Sequence, residues 1–241
     1  MNRAMYAAAT GMAAQQRNLE LVAENLANAD VAGFKGAAAT FAAIASAGGG
    51  LGTAAAGTHV MFTQGKLERS GGPFDVAIDG AGFFSVTDDR GRVAFTRNGE
   101  FSRGPDGALR NAQGCKLTGV RIPADALSVE VSAAGDVAAQ TAHGKKACGR
   151  IRLAEFASPE RLESSGGTLF FETRDSGRPR DVDPGKRGGP QIKFGMLERS
   201  NVSIVEAMMQ ILAAQRAYEA NAKGVQAADE MMRVADNLSR D

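Results

Sequence analysis

Apolar residues recur at every seventh position in one segment at each end of the chain. In the first segment, residues 2–29, the repeat consists of Met5, Met12, Leu19 and Leu26. A repeat of seven places its members on one face of an α-helix, in the pattern that coiled coils use for their seam. The segment contains no proline and one glycine, so little in it opposes a helix. The sequence therefore predicts a long N-terminal helix with an apolar seam.

The second segment, residues 202–238, carries the same repeat over five heptads. Its large seam positions are Ile204, Ile211, Tyr218, Val225 and Met232, and the positions three residues later are Ala207, Ala214, Asn221, Ala228 and Ala235. Alternating large and small residues allow helices to approach closely. A single polar seam residue, here Asn221, is of the kind that fixes the register between helices. Further apolar residues beside the seam predict more than one helical neighbour; they are Met209, Leu212, Met231 and Leu238.

Between these segments the pattern changes to short alternating runs separated by turn residues. The candidate strands are residues 74–78, 83–86, 93–96, 101–103, 108–110, 127–131, 150–156 and 168–173. The dipeptide Asn98-Gly99, which lies between two of these runs, is a strong hairpin signal. Short strands at this spacing are typical of an antiparallel all-β domain.

These patterns divide the chain into four parts and predict an α+β protein. The parts are residues 1–44, an N-terminal helix with the segment that follows it; 45–58, an Ala/Gly-rich linker; 59–198, a β-rich domain; and 199–241, a C-terminal helix. We thus expect long N- and C-terminal coiled-coil helices that flank a central antiparallel all-β domain. An isolated helix depends on packing for its stability, so the two ends must pair with each other, with other copies, or both. Pairing within one chain would leave apolar surface over, which predicts an oligomer or a filament.

Composition and charge exclude two classes of partner. The chain has 28 basic and 27 acidic residues and a net charge of +1, whereas a nucleic-acid binder normally concentrates a basic excess. No run approaches the roughly 20 apolar residues of a membrane span, and no cleavable signal peptide is recognisable at the N-terminus. Cys115 and Cys148 allow one disulfide, and the sequence leaves open whether it forms.

Candidate groups for chemistry are few, and each has a simpler interpretation, so we predict no catalytic residue, no cofactor and no metal. His143 and Cys148 are five residues apart, but no second pair completes a four-ligand zinc site. Gly80-Ala81-Gly82 precedes a predicted strand, whereas a dinucleotide-binding glycine motif must open a helix. Asp75 and Asp79 are the only candidates for the carboxylate pair of a hydrolase, and turn formation explains them better.

Several strings along the chain resemble the bacterial flagellar rod and hook family. Residues 25–28 (NLAN), 33–35 (GFK), 64–67, 74–84, 95–101, 200–202 and 215–221 match its successive blocks in the right order. The signature positions carried over from the family are Asn25, Leu26, Asn28, Gly33, Phe34, Lys35, Gln215, Arg216, Tyr218 and Glu219. The string from Gln215 to Glu219, continued by residues 229–232, is most similar to the distal rod type within this family.

The resemblance implies a helical axial polymer that spans the periplasm and transmits torque from motor to hook. It also implies export through the flagellar type III apparatus without a cleaved signal peptide. The expected partners are other copies of the chain, other rod and hook subunits, and the surrounding ring proteins. We assign the seam residues of both helices to the assembly interface: Met5, Met12, Leu19, Leu26, Ile204, Ile211, Tyr218, Asn221, Val225 and Met232. The alternatives are a proximal rod or hook subunit, an adhesin-like β-domain binding module, and a cell-wall hydrolase.

Overall fold

The computed structural model describes residues 3–45 and 51–238 of the chain. Over these residues it contains two long helices, α1 (Arg3–Ala27) and α2 (Ile204–Leu238), one near each end of an antiparallel β-rich region. This confirms the α+β class and the two terminal helices, whereas the coiled-coil character of the helices remains a prediction. The chain divides into two compact units. The helical unit comprises Met1–Ala27, Ala37–Met61 and Val202–Asp241, and the β unit comprises Asn28–Gly36 and Phe62–Asn201.

In the helical unit, α1 and α2 pack against each other in opposite directions. A Cβ atom added to Gly11 would lie 3.0 Å from Nδ2 of Asn221, and one added to Gly224 would lie 3.9 Å from the Cβ of Ala8. Because the partner number falls as the α1 number rises, the pair is antiparallel. The most buried apolar residues of the two helices are Ala14, Leu21 and Val22 on α1, and Ala207, Ala214 and Ala228 on α2. The alanine side of α2 is therefore the side that lies near α1, where small side chains permit the close approach.

The helical unit also contains a hairpin that the sequence did not predict. Strands β1 (Ala37–Ala45) and β2 (Leu51–Val60) pair antiparallel. The flexible linker expected over residues 45–58 is thus wrong for residues 51–58, which form most of β2; residues 46–50 lie outside the described residues. Gly52 serves a packing role, since a Cβ atom there would lie only 2.7 Å from the Thr10 hydroxyl of α1. The backbone N–H of Thr53 donates a hydrogen bond to that same hydroxyl at 3.2 Å.

The β unit is built around one antiparallel sheet of twelve strands. Its longest path runs β10-β11-β12-β9-β5-β6-β15-β14, with β13, β16, β7 and β8 joined to the side of this path. These strands are β5 (Phe83–Thr87), β6 (Val93–Thr96), β7 (Ser102–Arg103), β8 (Ala108–Arg110), β9 (Lys116–Arg121), β10 (Ala126–Val131), β11 (Asp136–Thr141), β12 (Gly144–Arg150), β13 (Leu153–Glu155), β14 (Glu163–Ser164), β15 (Leu169–Phe171) and β16 (Arg180–Val182).

Two further strand pairs complete the β unit. Strand β17 (Gln191–Phe194) pairs with β4 (Val76–Asp79), and β18 (Met196–Glu198) pairs with β3 (Leu67–Arg69). Both pairs join residues that are more than a hundred positions apart. The last two strands of the β unit thus pair with its first two. The core consists of aliphatic and phenylalanine side chains from most of these strands, and its largest fully buried members include Phe84, Ile78, Ile122, Ile151 and Leu153.

The hairpin predicted at Asn98-Gly99 is wrong, although strands occur on both sides of it. β6 pairs with β5 and β15, and β7 pairs with β8. The backbone around Gly99 instead approaches β4, where the N–H of Val76 donates to the Gly99 carbonyl at 3.1 Å. A Cβ atom on Gly99 would lie 1.6 Å from the Val76 carbonyl oxygen, so this glycine is required by close approach and not by a hairpin turn.

The helix contacts generate a stability prediction for Gly224→Ala. The added Cβ would meet only ordinary van der Waals contact, and alanine is more favourable than glycine within a helix by about 1 kcal/mol. We expect the substitution to raise the midpoint of the thermal loss of helical circular dichroism in the full chain. Gly11→Leu, which forces a large side chain against Asn221, should lower it. A lower midpoint for Gly224→Ala would contradict the helix register described above.

Candidate functional site

The most constrained polar site is a buried cluster around Glu198, at the end of β18. Glu198 has 0% of its surface exposed, and its carboxyl oxygens lie beside two basic side chains. Three donors surround that carboxylate: the Lys35 ammonium at 2.5 Å, the Gly65 backbone N–H at 2.8 Å and the Arg97 guanidinium at 3.2 Å. Burial of a charge is tolerated only where it is paired and hydrogen-bonded. We call Lys35, Gly65, Arg97 and Glu198 the Glu198 cluster.

Both basic side chains of the Glu198 cluster also form a hydrogen bond to a backbone carbonyl. Nζ of Lys35 also donates to the Thr63 carbonyl at 2.7 Å. Arg97 donates from Nη2 to the Gly80 carbonyl at 2.9 Å, and its guanidinium carbon lies 5.4 Å from the ring centre of Phe83. Two cations and one anion leave one excess positive charge in a buried place, so the carboxylate is the member whose loss the cluster tolerates least.

Burial shifts the acid–base behaviour of the two cations. It lowers the pKa of the Lys35 ammonium below its ordinary value of 10.5, and the adjacent Glu198 carboxylate opposes that shift. Burial likewise lowers the pKa of the Arg97 guanidinium, again against the attraction of Glu198. The folded β unit therefore bears a desolvation cost for its positive charges that the ion pairs offset in part.

The Glu198 cluster fixes the segment that follows α1 onto the β unit. The backbone N–H of Gly33 donates to the Glu198 carbonyl at 2.7 Å. Gly33 has a φ of +68°, and a Cβ atom there would lie 2.3 Å from the backbone nitrogen of Asn98. Only glycine accommodates both the left-handed backbone and this approach. Phe34, the next residue, is buried as well.

The segment before α2 is attached at the same place. The Asn201 side chain accepts a hydrogen bond from the Gly36 N–H at 2.8 Å and donates to the Thr63 hydroxyl at 2.8 Å. The N–H of Arg199 donates to the Lys66 carbonyl at 2.9 Å. Within the β unit, the chain that arrives from α1 and the chain that leaves for α2 are thus bonded to each other and to a common strand pair.

The structure gives physical reasons for several signature residues. In the helical unit, Asn25 near the end of α1 forms two hydrogen bonds with Ala37, one to the carbonyl at 2.7 Å and one from the N–H at 2.9 Å, so its side chain pairs with the start of β1 like a strand. Gly33, Phe34 and Lys35 belong to the segment that the Glu198 cluster holds. Sequence reasoning missed Glu198 itself. The signal that would have found it is an acidic residue two positions before the matched Ser200-Asn201-Val202 string, as the partner of a basic residue in each of two distant blocks.

The seam residues predicted for α1 and α2 take two kinds of position. Met5, Met12, Leu19, Leu26, Ile211, Asn221, Val225 and Met232 are half-buried, whereas Ile204 and Tyr218 are exposed. Gln215, Arg216 and Glu219, the remaining signature residues of α2, are exposed. The half-buried residues lie beside the fully buried alanine stripe of α2 or along α1, so they border the intramolecular contact and do not fill it.

A second apolar surface lies on the other side of α2. Val205, Met208, Met209 and Leu212 are each more than half exposed, and their spacing of three, one and three places them on one helix face. At about 100° per residue, this face lies roughly opposite Ala207 and Ala214. The structure thus shows a helix whose first turns are apolar on two sides, only one of which α1 covers. We call these four residues the N-terminal patch.

The residues considered for chemistry do not form a reactive site. Asp75 is buried and accepts a hydrogen bond from the Ser70 hydroxyl, whereas Asp79 is exposed and lies 3.5 Å from Nζ of Lys193, so the two carboxylates do not share an environment. Cys115 and Cys148 are both free and buried, and burial raises the pKa of the Cys115 thiol. Over residues 3–45 and 51–238, no group of three or more His, Cys, Asp or Glu side chains is placed to hold a metal ion.

Three family models match the chain in the order expected. The model described as "Flagella basal body rod protein" matches residues 5–35, "Flagellar hook protein FlgE/F/G D1 domain" matches 77–139, and "Flagellar basal body rod FlgEFG protein C-terminal" matches 194–238. The first and third models cover most of α1 and all of α2, and the second begins in β4 and runs through β10 into β11.

Curated relatives match along the whole chain. The flagellar basal-body rod protein FlgG of Borreliella burgdorferi is 36% identical, with 100% of each chain covered. FlgG of Agrobacterium fabrum is 34% identical over 95% of this chain and 96% of the relative. The flagellar basal-body rod protein FlgF of Caulobacter vibrioides is 30% identical over 98% of this chain and 97% of the relative.

The Glu198 cluster predicts an order of stability among three variants. Glu198→Gln leaves two buried cations without their anion and should lower the free energy of unfolding of the β unit by about 3–5 kcal/mol. Lys35→Met leaves the carboxylate with Arg97 and the Gly65 N–H, so we expect a smaller loss of about 1–3 kcal/mol. Urea unfolding, followed through methyl NMR signals of Ile122 and Leu153 in the core, measures both.

The matched control is Glu68→Gln on β3, where the same change removes an exposed carboxylate. A surface ion pair is screened by solvent and contributes little to stability, so this variant should unfold nearly as the unmodified chain does. Equal losses for Glu198→Gln and Glu68→Gln would show that the buried cluster does not stabilise the β unit.

The lowered pKa of Lys35 predicts a pH dependence. Between the lowered pKa of the folded state and the ordinary value of 10.5, the unfolded chain binds more protons at Lys35 than the folded chain does. The free energy of unfolding therefore rises with pH across that window. Relative to Lys35→Met, the unmodified chain should become more stable as the pH rises toward 10.5. A constant difference between the two proteins over this range would contradict the assignment.

Proposed function

The chain belongs to the family of flagellar basal-body rod proteins, and on that basis we propose that it is the distal rod subunit, which polymerises into a helical axial shaft and transmits torque from the motor to the hook. That it is a structural subunit of the basal-body rod, and not an enzyme, follows from its full-length relatives. The location in the flagellar basal body follows in the same way. The observation that carries the finer proposal is the exposed N-terminal patch on α2.

Exposed apolar side chains on a monomer mark a surface that another molecule covers. The N-terminal patch is on a helix that already has an intramolecular partner, α1, on its alanine side. A second helical neighbour must therefore come from another subunit, as the wide apolar face of α2 led us to expect. We assign the exposed seam residues Ile204 and Tyr218 to the same interface, and the half-buried seam residues of both helices to its borders.

The Glu198 cluster suits a subunit that bears mechanical load. It joins the chain segments on either side of the helical unit to one buried, hydrogen-bonded place in the β unit. Force applied to either helix would reach the β unit through these segments. Charge-assisted hydrogen bonds are stronger than neutral ones, so these segments are held firmly within the β unit.

The distal type is favoured by the relatives. In Caulobacter vibrioides, FlgG is 33% identical to this chain and FlgF is 30% identical. A proximal rod or hook subunit is the second candidate, since two of the matching models are shared among FlgE, FlgF and FlgG.

Export and partners complete the proposal. The rod model begins at residue 5, and α1 supplies buried residues to the helical unit, so removal of an N-terminal segment would dismantle that unit. Export without cleavage of a signal peptide accords with this requirement. Neighbouring rod and hook subunits would contact the ends of the polymer, and the ring proteins would surround it. The part of the chain that the structure describes contains no helix long and apolar enough to cross a membrane.

The proposal predicts the phenotype of a strain that lacks this chain. Such cells should be non-motile, and electron micrographs of their purified basal bodies should show rods without the hook-side segment. The unmodified chain should restore both. Full-length rods in the deletion strain would contradict the distal assignment, and rods shortened on the motor side would favour the proximal alternative.

The N-terminal patch is tested in the same strain with Leu212→Asp. This side chain is exposed in the single chain, so folding should persist, but in the polymer each copy would bury an unpaired charge at a cost of several kcal/mol. We expect more than about a tenfold loss of assembled rod. Gln226→Glu, also exposed on α2, adds a negative charge away from the patch and should assemble normally. Normal assembly of Leu212→Asp would remove the patch from the interface.

A further inference from the structure

Three basic side chains line one groove of the β unit, where β7, β9 and β12 come together. Arg103 lies in β7, Arg121 ends β9 and Lys146 lies in β12. The groove has a volume of about 350 Å³, and the rest of its lining consists of the turn before β8, the segment that follows β9, and Ala147. Because a water molecule takes up about 30 Å³ in the liquid, an anion of several heavy atoms fits there. We call this surface the basic groove.

The three cations of the basic groove have no acidic partner. Most basic side chains of the β unit form an ion pair; Lys145, which precedes Lys146 on β12, pairs with Glu130 at 2.7 Å. In the part of the chain that the structure describes, Arg103, Arg121 and Lys146 form no such pair. Nε of Arg121 donates to a backbone carbonyl at 2.9 Å. Nε of Arg103 is buried and has no acceptor among the described residues.

The acidic residue that lines the basic groove, Asp106, already has partners of its own. Its carboxylate lies 3.1 Å from Nη2 of Arg110 and 3.5 Å from Nζ of Lys116. It also accepts a hydrogen bond from the Ala108 N–H at 3.3 Å. Neither Arg110 nor Lys116 belongs to the lining of the groove. Because Asp106 balances those two cations, the groove keeps an excess of positive charge.

This excess charge selects the class of ligand. A phosphate group carries a charge of about −1.5 to −2 at pH 7 and presents at least three acceptor oxygens, whereas a carboxylate presents two. The planar fork of a guanidinium matches the geometry of phosphate oxygens. Three cations on three strands therefore suit a phosphate group better than a carboxylate. An extended polyanion is disfavoured, because the groove is small and the whole chain has a net charge of only +1.

We propose that the basic groove binds a phosphate group, with Arg103, Arg121 and Lys146 as the residues that hold it. These residues lie on strands that β8 and β9 join by backbone pairing, so the bound group would link the same strands through side chains. A ligand that binds only the folded chain stabilises it. The phosphate group is either free inorganic phosphate or part of a phosphate monoester. The site is independent of the polymerisation proposed above.

Titration of the full-length chain at pH 7, followed through the NMR signals of backbone amides, tests this proposal. Inorganic phosphate and acetate are compared at the same ionic strength. We expect phosphate to cause saturable shifts at Gly107, Ala124 and Ala147, which line the basic groove, and none at Gly33 or Gly65. Acetate should cause no saturable shift at any of these positions.

A third titration distinguishes the two sources of the phosphate group. Glycerol phosphate, a monoester, is added in the same way. Tighter binding of glycerol phosphate than of inorganic phosphate supports the proposal with a monoester as the ligand. Tighter binding of inorganic phosphate supports it with the free anion as the ligand.

Two variants test the residues, and a third is their matched control. Arg103→Gln removes a half-buried cation and should weaken the binding of phosphate about tenfold. Lys146→Gln removes an exposed cation, so folding should persist, and binding should weaken roughly threefold. Lys145→Gln is the same change at the adjacent residue, which points to the other face of β12 and lies outside the groove lining. Its affinity should match that of the unmodified chain.

Two results would overturn the proposal. The first is the absence of saturable shifts with both phosphate compounds, or shifts that acetate produces equally well. The second is an equal affinity of Lys146→Gln and Lys145→Gln for phosphate, which would show that the net charge of the chain, and not the groove, determines binding. Circular dichroism verifies that each variant is folded before it is titrated, and the two lysine variants decide the outcome if Arg103→Gln does not fold.

Discussion

The buried carboxylate of Glu198 is the interaction on which the rest of the structure depends. A charge without exposed surface must be met by donors at fixed positions, and these donors come from residues 35, 65 and 97, far apart along the chain. Their convergence determines where the chain enters the β unit after α1 and where it leaves the β unit before α2. The close approaches of Gly33 to Asn98, and of Gly65 to the Arg199 carbonyl, follow from the same convergence. Because the buried carboxylate requires these donors at fixed positions, the cluster specifies how the segments of the β unit next to α1 and α2 are held together.

Helix α2 follows this part of the chain and carries the apolar surface that we assign to assembly. Its alanine stripe allows α1 to approach closely, and its other side keeps large apolar residues that no part of its own described chain covers. A chain of this kind is folded but incomplete, because its exposed apolar surface favours association. The carboxylates of Asp75 and Asp79 are in different environments, and Cys115 and Cys148 are buried and free. An apolar surface that association would cover is consistent with a member of the rod protein family.

Sequence reasoning could predict the features that depend on local periodicity. The heptads of residues 2–29 and 202–238 predicted both helices nearly to their ends. Sequence reasoning failed where contacts between residues far apart in the chain determine the local structure. Residues 51–58 have the composition of a linker, but they form most of β2, which pairs with β1, and Gly52 leaves no room for a Cβ atom beside Thr10. Asn98-Gly99 has the composition of a hairpin turn, but Gly99 instead lets the backbone pass close to Val76. Glu198 gave no local signal, since its partners lie up to 163 residues away.

A cryo-electron microscopy reconstruction of rods assembled from this chain would test the central claim most directly, which is that the outer side of α2 is completed by neighbouring subunits. The account predicts that Val205, Met208, Met209 and Leu212 are buried against a helix of another copy. It also predicts that Lys35 and Arg97 still contact Glu198 within each copy. A reconstruction in which these four side chains face solvent, with the subunits joined elsewhere, would contradict it.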